Sequence, residues 1–296
     1  TLYFFQGKFF FRKKIISLKY KGINFGKHLY TYTLRDHKVY SSSYKFYFLL
    51  FKNIYIVSKY FNTANYYLKY YKFENVYIDH PMYLNGIFYQ IFKNKNIYAN
   101  CYPRNIIKTK NKDIKDILEL DFKDQSFSNN KKNEIKKKIK KIFNNANNSL
   151  PWMDYAKFNI LKKHNFKKYD YIIYTHSFTD AQLSLEFDGF LNVLEWLEFT
   201  TIELQKRKVN FIIKGHPNWY VSSKKSGFHE LSAWDKKIYS NFINRIKHDK
   251  NILIINESIS NNDLIKSLDK KCVAITKHGN AQFEMVRNNF KVISSK

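Results

Sequence analysis

The sequence predicts an α/β fold with parallel β-sheets, and two observations carry that expectation. From residue 168 onward, short apolar runs alternate with amphipathic ones in a strand–loop–helix rhythm. Such a rhythm calls for a parallel sheet with right-handed crossovers. Three of those apolar runs also end alike, in a polar loop that contains a histidine. A hydrophobic content of 44% over 296 residues allows one large core or two of ordinary size.

Residues 1–122 read as a first domain. The runs "KIISLKY" (14–20), "NIYIVSK" (53–59), "ENVYID" (74–79) and "NIYANCYP" (96–103) are β-branched and aromatic and predict strands. "GIFYQIFKNK" (86–95) predicts a helix. The apolar stretch "KFYFLLFKNIYIVSKYF" (45–61) is interrupted by lysines, short of the roughly 20 apolar residues of a membrane span. Residues 123–167 read as a linker whose first part is rich in Lys and Asn. A short helix at 132–143 would carry Ile135, Ile139, Ile142 and Phe143 on one face.

Residues 168–296 read as a second domain. Strands are predicted at "YDYIIYTHS" (169–177), "VNFIIKGHP" (209–217), "NILIIN" (251–256), "CVAITKHG" (272–279) and "KVIS" (291–294). Helices are predicted between them. "FLNVLEWLEFTTIELQKRK" (190–208) presents Leu191, Leu194, Leu197, Ile202 and Leu204 and closes on basic residues that suit the helix dipole. "AWDKKIYSNFINRIK" (233–247), "SNNDLIKSL" (260–268) and "NAQFEMVRNN" (280–289) follow.

Lys and Arg number 52 against 24 Asp and Glu, a formal charge of +28. A field of that sign attracts nucleic acid, anionic lipid or a polyanionic substrate. Abundant Lys, Asn, Ile, Phe and Tyr share A/T-rich codons, so codon bias is a competing source of the same charge. The two cysteines, Cys101 and Cys272, lie far apart and form no framework, as in a reducing compartment. No HExxH or clustered His/Cys spacing is present, so no metal is expected. No stretch has the order of a secretory signal. The expected location is cytoplasmic, with peripheral contact at the inner face of the cell membrane.

The three polar strand exits are the candidate site, because ligands of open α/β sheets bind beyond the carboxyl ends of the strands. The first contains His176 and Asp180, the second Lys214, His216 and Asn218, and the third Thr276, Lys277, His278, Gly279 and Asn280. Gly279 precedes a helix start, where free N–H groups and the dipole favour a phosphate. Lys214 and Lys277 carry charge that would neutralise a diphosphate. Glu284 lies within reach of a ribose hydroxyl, and His176 or Asp180 has the chemistry of a base.

These residues carry a resemblance. "YTHSFTDAQLSLEFDGFLNVLEWLEFTTIELQKRKVNFIIKGHPN" and "AITKHGNAQFEMV" resemble bacterial glycosyltransferases of capsule and surface polysaccharide biosynthesis, through the "HSFxDA" and Lys-x-His-Pro elements. The resemblance is clear over about 168–294 and weaker over 19–110. It implies two Rossmann-like domains facing a cleft, a GT-B-like pair. The first domain would take the acceptor and the second a nucleotide-activated sugar. It also implies a chain truncated at its C-terminal end, where such proteins continue through a last strand and a helix. Lys214, His216, Thr276, Gly279, Asn280 and Glu284 would line the donor site, with His176 and Asp180 near the cleft. The nucleotide-sugar would be a substrate, with no further cofactor. The acceptor would be an anionic glycan or a lipid-linked one. Three other readings stay open: transfer of a polyol phosphate from a CDP-activated donor, a basic nucleic-acid-binding protein whose 19% aromatics stack on single strands, and a catalytically dead binding subunit.

Overall fold

In the computed structural model the described residues are 14–36, 44–79, 83–92, 95–101, 105–109, 133–134, 137, 165–179, 189–190, 192–220, 229–277 and 279–295. The chain forms two compact units. One comprises residues 1–125 and 179–192, the other 126–178 and 193–296.

In the N-terminal unit, helical residues 14–16 precede a hairpin of β1 (Lys19–Tyr20) and β2 (Ile23–Asn24). Helix α1 (Gly26–Asp36) and the 27-residue helix α2 (Tyr44–Tyr70) follow. Then come β3 (Asn75–Asp79), α3 (Tyr83–Phe92), β4 (Asn96–Cys101) and β5 (Asn105–Thr109). β3 and β4 pair in parallel across α3, one βαβ unit, while β5 runs antiparallel to β4. The expected all-parallel sheet is therefore a mixed three-stranded one here.

Two expected strands are absent from this unit. Residues 14–16 are helical, and only Lys19–Tyr20 of 14–20 is extended. Residues 53–59 lie in the middle of α2. The helix wins there because Phe46, Leu50, Asn53, Val57, Phe61 and Ala64 recur at intervals of three and four and are all buried. Phe46, Leu50, Val57 and Phe61 of that stripe pack with Leu29, Tyr30 and Leu34 of α1 and Ile87 of α3 in one core. Tertiary burial overrides the β-propensity of Ile54, Ile56 and Val57. One polar link sits inside this apolar contact. Asn53 Nδ2 donates to Thr33 Oγ1 at 2.9 Å, and Thr33 Oγ1 donates to the Leu29 carbonyl at 2.8 Å.

The C-terminal unit is a five-stranded parallel sheet. Its elements are β6 (Tyr171–Tyr174), α4 (Val193–Lys206), β7 (Phe211–Lys214), α5 (His229–Ile246), β8 (Ile252–Ile255), α6 (Asn261–Ser267), β9 (Val273–Thr276), α7 (Asn280–Arg287) and β10 (Lys291–Ser294). The strand order is β10-β9-β6-β7-β8. Numbered from β6 it reads 5-4-1-2-3, the doubly wound order whose direction reverses beside the first strand. Every pair is parallel, and the last residues align in one row: Ser294, Thr276, Tyr174, Lys214 and Ile255.

One face of this sheet presents Ile172, Tyr174, Ile212, Ile255 and Ala274 to Leu264 and Ile265 of α6 and Met285 of α7. The alternate residues Ile173, Phe211, Ile213 and Ile275 are also buried and point to the other face. The crossover rule places α4 and α5 there. The linker helix expected at 132–143 falls outside the described residues except for Asn133, Glu134 and Lys137, which are helical and exposed. Among the described residues, no helix is long and apolar enough to cross a membrane.

Candidate functional site

The three histidine-bearing exits leave three neighbouring strands, β9, β6 and β7, at one edge of the sheet. The exit of β6 is the middle one. It lies beside β9, where the winding direction reverses and opens a crevice.

Backbone geometry ties the exits together. The Lys214 carbonyl accepts from Thr175 N–H at 3.1 Å and from Thr175 Oγ1 at 2.8 Å. Gly215 N–H donates to the Ile255 carbonyl at 3.1 Å. A Cβ on Gly215 would stand 2.2 Å from Tyr220 Oη, so any larger residue there would displace that ring. Pro217 opens a 3-10 turn, Pro217–Tyr220. On the far side, the Lys277 carbonyl accepts from Ser295 Oγ at 2.6 Å and from Ser294 Oγ at 3.2 Å. The Lys277 side chain is buried, as is that of Thr276.

A residue outside the expected set holds the first two loops. Asp235, on α5 and 1% exposed, receives three donors on Oδ2. They are Ser177 Oγ at 2.5 Å, Phe178 N–H at 3.1 Å and Trp219 Nε1 at 3.4 Å. Phe178 and Trp219 stack with ring centroids 5.3 Å apart. The signal for Asp235 was a lone carboxylate among the apolar positions of "AWDKKIYSNF". A buried charge of that kind needs several donors.

Two of these histidines, His176 and His216, lie near each other beyond the ends of β6 and β7. The rings of His176 and His216 lie 6.1 Å apart at 62°, and Trp219 borders His216 at 5.8 Å. His176 Nδ1 stands 3.2 Å from the Ser177 carbonyl, which accepts from the Nδ1–H tautomer. Burial lowers the His216 pKa to about 3, with His176 and Lys214 adding repulsion. His216 is therefore neutral at pH 7, a hydrogen-bonding group rather than the second cation its sequence position invites. Across the crevice, Gly279 adopts φ 114° and ψ 177° ahead of α7, whose N-terminus has no side-chain cap among the described residues. A Cβ there would stand 3.5 Å from His176 Cδ2.

Lys214 is the electrostatic centre. It is 6% exposed, and its Nζ lies 5.8 Å from the centroid of the Tyr174 ring. Among the described residues its side chain has no hydrogen bond and no ion pair. Burial lowers its pKa to about 8, against an opposing pull from Glu284. Burial also raises the Glu284 pKa, while an amide hydrogen bond from Asn261 and the charge of Lys214 oppose the rise. The other end of that amide, Asn261 Oδ1, is buried without a partner among the described residues.

Of the expected residues, His176, Lys214, His216, Gly279 and Glu284 thus gather around the ends of β6, β7 and β9. Thr276 ends β9 and Lys277 follows it. Asn218 lies in the 3-10 turn and Asn280 opens α7, but their side chains fall outside the described residues. Asp180 and His278 lie wholly outside them. Among the described residues, no three of His, Cys, Asp and Glu gather as metal ligands.

The fold and the site together define a doubly wound α/β unit with a polar, cation-bearing crevice at its switch point. No protein-family model matches the chain, and neither a curated protein nor a solved structure does.

Proposed function

We propose that the chain is a glycosyltransferase of surface polysaccharide assembly that takes its sugar from a nucleotide-activated donor. The observation that carries this reading is Lys214, a largely buried lysine without an ion-pair partner among the described residues, at the C-terminal edge of a parallel sheet. A buried charge of that kind is costly unless something anionic completes it. The uncapped start of α7 and the open backbone at Gly279 would supply N–H groups to the same anion.

In this mechanism the donor's phosphates sit between Lys214 and α7. The cation and the N–H groups stabilise negative charge on the departing nucleotide. Neutral His216 donates one hydrogen bond to a phosphate oxygen. His176 or Asp180 deprotonates the acceptor hydroxyl. Electrons of that hydroxyl form the new glycosidic bond as the sugar–phosphate bond breaks. The N-terminal unit takes the acceptor side of a GT-B-like pair, and the acceptor is a glycan or glycolipid at the cytoplasmic face of a membrane.

Calorimetric titration with CMP, CDP and UDP tests the site, and mass analysis of products from a panel of nucleotide-sugars tests the reaction. A nucleotide bound by the wild type and lost in Lys214→Gln supports the reading. Neither binding nor nucleotide release across the panel sinks it. Transfer of a polyol phosphate would reassign the donor.

A further inference from the structure

Helix α2 has two faces, and only one of them is explained by the core. Opposite the buried stripe, Tyr44, Phe48, Phe51 and Tyr55 are 96%, 71%, 64% and 62% exposed. At 100° per residue they fall within an arc of about 60°. Lys45, Lys52 and Lys59 are exposed on the adjoining arc, and Lys59 Nζ stands 4.6 Å from the centroid of the Tyr55 ring. The 27 residues of α2 contain no Asp or Glu.

From this face we infer that α2 lies flat on an anionic lipid bilayer, with the aromatic stripe among the acyl-chain ends and the lysines at the headgroups. Exposed rings in one row are costly in water, and a stripe flanked by cations fits the boundary between hydrocarbon and headgroup. Tyr carries both an apolar body and a polar tip, which suits that depth. Lysines on the flank reach outward to phosphate while their stems cover apolar surface. The opposite side of α2 is committed to the protein core, so the helix rests on the surface and does not cross. A second copy of the chain is a poor occupant, because two such faces would bring lysine against lysine in a chain of net charge +28. The chemistry recognised is that of an anionic lipid surface, and the inference stands apart from the nucleotide site.

Co-sedimentation of the full chain with vesicles tests it, using phosphatidylcholine alone and phosphatidylcholine with phosphatidylglycerol. Binding is expected to the anionic vesicles, to weaken in high salt, and to fall roughly tenfold or more in Phe48→Ser/Phe51→Ser. Lys45→Gln/Lys52→Gln should lose the preference for anionic lipid. Both pairs are exposed, so unchanged circular dichroism is expected, and nucleotide binding in solution is expected to be unchanged in both variants. Equal vesicle binding by wild type and the Phe48/Phe51 variant overturns the proposal. So does a wild-type dimer that this variant converts to monomer.

Discussion

His176 and Gly279 face each other across the gap between β6 and β9, close enough that a Cβ on Gly279 would touch the imidazole at 3.5 Å. Space alone would tolerate that methyl group. The backbone would not, since φ 114° with ψ 177° belongs to a region occupied almost only by glycine. Gly279→Ala is therefore expected to lower unfolding stability by about 1–3 kcal/mol and to weaken nucleotide binding. Urea unfolding and calorimetry measure the two effects, and an unchanged midpoint would show that α7 begins differently.

Lys214 should cost the fold stability that its ligand restores. Its folded pKa of about 8 lies below the ordinary 10.5. The unfolded chain therefore holds the proton more tightly. The destabilisation is complete below about pH 8 and fades as pH rises to 10.5, a difference of about 3 kcal/mol. Lys214→Met is expected to stabilise the protein at pH 7 by about 1–3 kcal/mol, to lose that advantage near pH 10.5, and to bind no nucleotide. A Met variant that unfolds more easily at pH 7 would mean the ammonium is satisfied in the folded protein.

His216 follows the same sign at lower pH. Its folded pKa of about 3 lies below the ordinary 6.5, so the unfolded chain takes up the proton first on acidification. Its contribution to stability is present above about pH 6.5 and is lost as pH falls toward 3. NMR titration should find the His216 ring neutral at pH 5. In His176→Ala, one source of repulsion is gone and the pKa should rise. A wild-type ring that titrates near 6.5 would contradict the burial that sets this value.

Asp235 should behave as a positioning residue. Asp235→Ala strands the donors of Ser177, Phe178 and Trp219. The expected loss is about 3 kcal/mol in denaturant unfolding, in the range for buried hydrogen bonds to a charge. Asp235→Asn keeps one acceptor and should recover part of that loss. If both variants match the wild type in stability, the two loops are held by other contacts.

The C-terminal unit was legible because each of its strands is a short apolar run ended by a polar loop, and each helix has one apolar face. "VNFIIKGHP" became β7 with its exit, and "NAQFEMVRNN" became α7. That three exits share one edge also followed from the rhythm. The strand order did not, and it makes "YTHS" rather than "KGHP" the middle exit. Asp235 was overlooked because its donors lie 16 to 58 residues away. Helix α2 was misread in part for the reason that its free face matters. Phe48, Phe51 and Tyr55 are apolar where a surface helix is usually polar, so the binary pattern that marks a helix was blurred.

The hydrogen bond from Asn53 to Thr33 has a consequence for how α1 meets α2. Helices joined by rings and aliphatic chains can slide past each other and bury similar area at several offsets. An offset that separates this amide from its hydroxyl breaks a buried interhelical hydrogen bond, at a cost of about 1–3 kcal/mol, while Thr33 keeps its bond to the Leu29 carbonyl of its own helix. The hydrophobic stripe brings the helices together, and this polar contact selects one alignment from the degenerate set.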